Sequence, residues 1–122
     1  MALDAKAKDF LLKSIKAAID GLQERSFDGM KKLVSRLHSV SEVFPDDTWT
    51  KELNLVCISL VVIGTSTEGE IAKLKKEKAD ELIKNYSGKL NEFYGAIEEE
   101  SIAKTDTFLK EFVDIFFRDI GM

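Results

Sequence analysis

The sequence predicts an all-α fold, an antiparallel four- or five-helix bundle with one long helix that has places to kink. Three observations predict it. Apolar residues return every three or four positions through most of the 122 residues. Helix start and stop signals fall between these periodic stretches. No segment offers the alternation a β-strand would need in a partner strand. The length suits a single helical domain, residues 1–122, large enough to bury a core without staples.

Residues 3–24 form the first predicted helix. Leu3, Ala7, Phe10, Leu11, Ile15, Ala18 and Leu22 share one side, with Lys13, Lys16, Asp20 and Glu24 opposite. Arg25-Ser26 makes the break, and Ser26 is a suitable N-cap. A second helix follows from about Phe27 to Phe44, its apolar face built from Met30, Leu33, Val34, Leu37, Val40 and Phe44. Pro45 ends it, because proline lacks an N–H and disfavours helical geometry in the residue before it.

Asp46-Asp47-Thr48 supplies caps for a third helix, roughly Thr48 to Ile63. Leu53 to Ile63 is apolar nearly all round, which marks this helix as the most buried element. Gly64 fits the C′ position, and Thr67-Glu68-Gly69-Glu70 fits a capping box. A fourth helix then carries Ile71, Leu74, Ala79, Leu82, Tyr86, Leu90, Phe93 and Ile97 for about thirty residues, with Ser87-Gly88 and Gly95 as places to bend. At 1.5 Å per residue it would reach roughly 45 Å and overhang its neighbours, bend, or pack on another molecule. The pattern slips at Glu98-Glu99-Glu100-Ser101, and a last helix runs from about Thr105 to Ile120. Its apolar residues spread over roughly 200° of circumference, more than one neighbouring helix covers.

Composition narrows the functional classes. Hydrophobic residues make up 44% and charged residues 33%, which excludes a disordered chain. The formal net charge of -4 argues against a direct nucleic-acid binder, which carries a basic excess. The longest apolar run, Leu53 to Gly64, is short for a bilayer and holds Asn54 and Ser59. Met1-Ala2-Leu3-Asp4 leads straight into a charged amphipathic stretch rather than a signal peptide. The expected compartment is therefore cytoplasmic, with no membrane partner. A single Gln23, three asparagines and abundant Lys and Glu match the pattern of heat-adapted proteins.

Catalytic residue types are sparse. The one histidine, His38, sits beside the apolar stripe of the second helix. The HEPN nucleases set four to six residues between arginine and histidine, whereas His38 follows Arg36 by two positions and Arg25 by thirteen. The one cysteine, Cys57, lies in an apolar run and reads as a buried thiol. Glu77 and Asp80 resemble half of the carboxylate set of helical nucleotide pyrophosphohydrolases, but no Glu-x-x-Glu precedes them. They suit ion pairs with nearby lysines instead. No glycine-rich loop enters a helix, so neither cofactor nor metal is expected.

Two clusters remain. Lys73, Lys75, Lys76 and Lys78 could touch phosphates, although Glu68, Glu70, Glu77, Asp80 and Glu81 are interspersed with them. Phe108, Phe112, Val113, Phe116 and Phe117 form an aromatic face that is either core or a partner and homodimer surface. Lys110-Glu111-Phe112-Val113-Asp114-Ile115-Phe116-Phe117 resembles the motif by which replication and repair proteins bind the sliding clamp. Val113, Phe116 and Phe117 match that motif, and Lys110 stands where it has glutamine. The resemblance implies docking to a replication or repair complex. The leading expectation is a non-enzymatic protein-interaction or assembly protein acting as a homodimer. The alternatives are an accessory subunit of a nucleic-acid-processing complex and a small helical enzyme.

Overall fold

The computed structural model describes the backbone of residues 5–43 and 48–120 and the side chains of 5–40 and 48–118. Five helices fill these stretches: α1 (Ala5–Gln23), α2 (Asp28–Val43), α3 (Thr48–Ile71), α4 (Lys76–Glu98) and α5 (Ile102–Ile120). Among the described residues there is no strand. Leu3, Phe44, Pro45, Asp46 and Asp47, which entered the sequence argument, lie outside the described residues.

Each helix packs against two others, in the order α1–α2–α3–α5–α4 and back to α1. Five helices cannot alternate in direction around a closed ring, so one neighbouring pair has to run parallel. That pair is α3 and α5. Glu52 and Asp106, each the fifth residue of its helix, interact across it. The other pairs are antiparallel, the usual packing of neighbouring helices in a bundle.

α1 and α4 end alike. Arg25 and Glu100 both take positive φ, 62° and 53°, which costs a side-chain-bearing residue roughly 1–2 kcal/mol. Around them, Ser26 N–H donates to the Gly21 carbonyl and Arg25 N–H to that of Leu22. Ser101 and Glu100 donate in the same way to Ala96 and Ile97. These are two Schellman motifs, where glycine is the usual residue. Both side chains have work elsewhere. Arg25 pairs with Asp80 near the start of α4, and Glu100 pairs with Lys8 near the start of α1 at 3.3 Å. The antiparallel α1/α4 pair is thus clasped at both ends. Each clasp is partly exposed, so it contributes at most about 1 kcal/mol. Ser101 Oγ then caps α5 by accepting from Lys104 N–H at 3.1 Å. Ser26 Oγ accepts from Asp28 N–H at a longer 3.4 Å.

The boundary between the third and fourth helices falls later than the capping signals suggest. α3 runs through Gly64 and Thr67 to Ile71, and the turn lies at residues 72–75. Thr67 is no N-cap. Its side chain is buried, and its hydroxyl donates to the Tyr86 hydroxyl at 3.4 Å. Burial explains the extension. Trp49, Leu53, Val56, Leu60, Ile63, Thr67 and Ile71 recur every three or four residues on one inner stripe. With 24 residues in α3 and 23 in α4, the long thirty-residue helix resolves into two of ordinary length, about 35 Å each.

The core is contiguous. Trp49, Tyr86, Phe93, Phe108 and Phe112 are its largest fully buried side chains. α1 and α2 approach closely at Gly29, where a Cβ would lie 2.7 Å from the Ala17 carbonyl oxygen and 2.9 Å from the Ala18 Cα. Beyond that crossing, Arg36 donates to Ser14 Oγ at 3.0 Å and lies over the Phe10 ring at 5.1 Å. This cation–π contact accompanies the exposure of Phe10 at the surface.

Gly29→Ala is expected to destabilise the fold by about 1–3 kcal/mol in urea unfolding, because backbone atoms cannot yield like a side chain. Gly88→Ala supplies the contrast. Beyond its own helix backbone and chain neighbours, no atom lies within 4 Å of its Cβ position, and helix propensity alone should raise stability by about 0.5–1 kcal/mol.

Candidate functional site

Three of the five C-terminal candidates are core. Phe108, Phe112 and Phe116 are buried, with Phe108 stacked on Phe93 at 4.7 Å and Phe112 tilted against Tyr86 at 4.9 Å. Val113 is partly buried against the same cluster. Only Phe117 stands outside, 46% exposed. Most of the described apolar arc of α5 is covered because α5 lies between α3 and α4. A partner or dimer surface made of Phe108, Phe112, Val113, Phe116 and Phe117 would require opening the bundle. The side chains that give the sliding-clamp resemblance are likewise not presented together.

Lys73 and Lys75 fall in the α3–α4 turn, and Lys76 and Lys78 open α4. All four are exposed. Lys73 lies 3.8 Å from Glu70, and the Lys76 carbonyl accepts from Arg25. The lysines thus share one corner with Glu70, Glu77 and Asp80.

The chemistry-bearing residues are dispersed. His38 is exposed on α2. Cys57 on α3 donates its thiol to the Val34 carbonyl at 3.4 Å, and burial pushes its pKa up, away from the reactive thiolate. Among the described residues, no three His, Cys, Asp or Glu gather as a metal site. Asp80 is taken up by Arg25. A cleft of about 370 Å³ between α4 and α5 is bordered by paired charges, including Lys104–Glu99 at 2.6 Å.

One carboxyl is out of balance. Glu52 has its pKa raised by burial first, then by the Asp106 carboxylate beside it, with Lys110 opposing. Its Oε1 is buried without a hydrogen-bond partner. Lys110 lies 2.8 Å from Asp106 and is engaged there.

The largest unexplained surface lies on α3, the helix expected to be the most buried. Its inner stripe is buried, but Leu55, Ile58, Val61 and Val62 are 52%, 63%, 47% and 55% exposed. No charge occurs between Glu52 and Glu68. With each residue advancing about 100°, these side chains, Asn54 and Thr65 share an outward arc of roughly 140° with Lys51, Glu68 and Gly69. An apolar groove of about 150 Å³ between α2 and α3 borders the arc, lined by Phe27, Met30, Val34, Leu60, Val61 and Gly64.

Extension to Ile71 also revises the membrane argument. α3 is long and apolar enough, by length and composition, to cross a membrane, and 33% of its most apolar 18-residue window is buried inside the bundle. The all-round hydrophobicity of residues 53–63 was the available signal. It shows apolar surface in every direction, and neighbours on two sides cannot cover all of it. No protein-family description, curated protein or solved structure matches this chain.

Two outcomes are expected. Phe112→Ala should cost about 3–5 kcal/mol in chemical unfolding, as core phenylalanine truncations do, whereas Phe117→Ala should cost under about 1 kcal/mol. Glu52→Gln should stabilise the fold at neutral pH by about 1 kcal/mol, because an amide carries no charge to desolvate. The sign follows from the raised pKa. The folded state holds the Glu52 proton more tightly than the unfolded state, so stability falls as pH rises through the window between the two pKa values. Thermal melts across pH should show the advantage of Glu52→Gln shrinking as acid protonates Glu52.

Proposed function

We propose that this chain is a non-enzymatic protein-interaction or assembly protein, and that the outer face of α3 is the surface through which it acts. The single observation that carries this reading is the exposed stripe of Leu55, Ile58, Val61 and Val62 on a helix stretch without charge. Monomeric proteins rarely leave contiguous apolar patches of more than a few hundred Å² in water, and such patches mark interaction sites. The neighbouring α2/α3 groove adds a recess that a projecting aliphatic side chain can enter. The dispersal of His38, Cys57 and the paired carboxylates favours interaction over catalysis.

The double variant Ile58→Lys, Val62→Lys separates a docking face from a core. Lysine has at least the helix propensity of isoleucine or valine. The variant should therefore fold with unchanged circular dichroism and stability within about 0.5 kcal/mol of the parent. An apolar fluorescent dye should bind the parent in dilute solution and lose most of its enhancement with the variant. At concentrations where the parent is monomeric, a stability loss of several kcal/mol would mean that the face is covered within the single chain.

A further inference from the structure

We infer that the occupant of the α3 face is a second copy of the same chain, docked with its α3 antiparallel about a two-fold axis beside Leu60. This rests on reading that face as the docking surface and adds the identity and direction of what covers it. The argument starts from the order of residues along the stripe. Lys51, Leu55, Ile58, Val62, Thr65 and Gly69 lie along the outward face of α3. In a reversed copy, positions whose numbers sum to 120 stand opposite one another.

That register matches shape and charge together. Ile58 meets the other copy's Val62, aliphatic on aliphatic at the centre. Leu55 meets Thr65, and Lys51 meets Gly69, so a long side chain faces a short one at each end. A Cβ at Gly69 would have open space around it within its own chain, leaving room for the opposing lysine stem. Beside Gly69 is Glu68, exposed and 3.2 Å from Lys31 of α2. The reversed copy brings its Lys51 to this same carboxylate, once at each end of the interface. A parallel copy would instead set Lys51 against Lys51 and Glu68 against Glu68, and like charges oppose docking. The terminal ion pairs are exposed and select direction more than they add affinity.

Four aliphatic side chains fall short of the roughly 800 Å² per partner of a stable interface. The α2/α3 groove and the polar rim around it extend the stripe toward that area. A two-fold arrangement buries the same patch on both copies, so one stripe solves the exposure problem twice. A lipid surface would use neither the opposed end charges nor the long-on-short pairing, and Asn54 and Thr65 within the arc do not favour it.

Two measurements test this on the full chain. Sedimentation equilibrium should show a monomer–dimer transition that Ile58→Lys shifts to at least tenfold higher concentration. In a Cys57→Ala background, Lys51→Cys and Gly69→Cys chains should form an intermolecular disulfide only when mixed. Alone, each pair of like cysteines would sit roughly 27 Å apart along the axis, far beyond disulfide reach. A strict monomer at millimolar concentration would overturn the inference, as would efficient self-linking of Lys51→Cys, which signals a parallel pair. Monomers that sediment with neutral phospholipid vesicles would overturn it in favour of a lipid face. The dye experiment decides independently whether the face is open and apolar, as the docking reading requires, so failure of the second copy is distinguishable from failure of that reading.

Discussion

A helix can give only part of its circumference to the bundle that holds it, and α3 is apolar on more than that part. Its inner stripe, Trp49 to Ile71, anchors α2 on one side and α5 on the other. Removing it would leave the ring without the segment that joins those two helices. Yet the side chains between the stripe's members are also aliphatic, and the geometry that buries Leu53, Val56, Leu60 and Ile63 turns Leu55, Ile58 and Val62 outward. Exposure here follows from satisfying the core. It is a consequence of the 3.6-residue period applied to a sequence without a polar face.

The odd number of helices shapes the rest. A closed ring of five requires one parallel pair, and that pair brings Glu52 and Asp106 to the same level of α3 and α5. Burial and the neighbouring carboxylate both disfavour the charge on Glu52, while Lys110 relieves it only in part. Opposite this strained contact, α1 and α4 form an antiparallel pair with complementary ends. Arg25 and Glu100 accept an unfavourable backbone geometry and also reach across to Asp80 and Lys8. The two clasps offset part of the backbone cost of placing non-glycine residues at the Schellman positions.

Much of this was legible from residue spacing, and the exceptions have physical causes. The periodicity of Leu11, Ile15, Ala18 and Leu22 in α1, or Leu82, Tyr86, Leu90 and Phe93 in α4, reports burial directly because each helix has a polar side for contrast. The turn at residues 72–75 was hidden. The apolar pattern passes through Ile71, Leu74, Ala79 and Leu82 nearly in phase, and Lys75, the N-cap of α4, makes no side-chain cap bond. Gly64 and the Thr67–Glu70 box gave start and stop signals, but core contacts of Thr67 and Ile71 outweigh caps worth about 1 kcal/mol. Reading the candidate site depended on counting neighbours. The broad arc of α5 left core and surface both open, and Phe108, Phe112 and Phe116 are core, since α3 and α4 flank it. The uniform hydrophobicity of α3 suggested a central helix, but a five-membered ring has no helix at its centre.

The two-sidedness of α3 is the claim on which the rest stands, and methyl NMR with a soluble paramagnetic agent tests it most directly. In dilute solution, methyl signals of Leu55, Ile58, Val61 and Val62 should broaden strongly as the agent is added, while those of Leu53, Val56, Leu60 and Ile63 should not. Equal protection of both sets would show that α3 is enclosed within a single chain and would contradict the account.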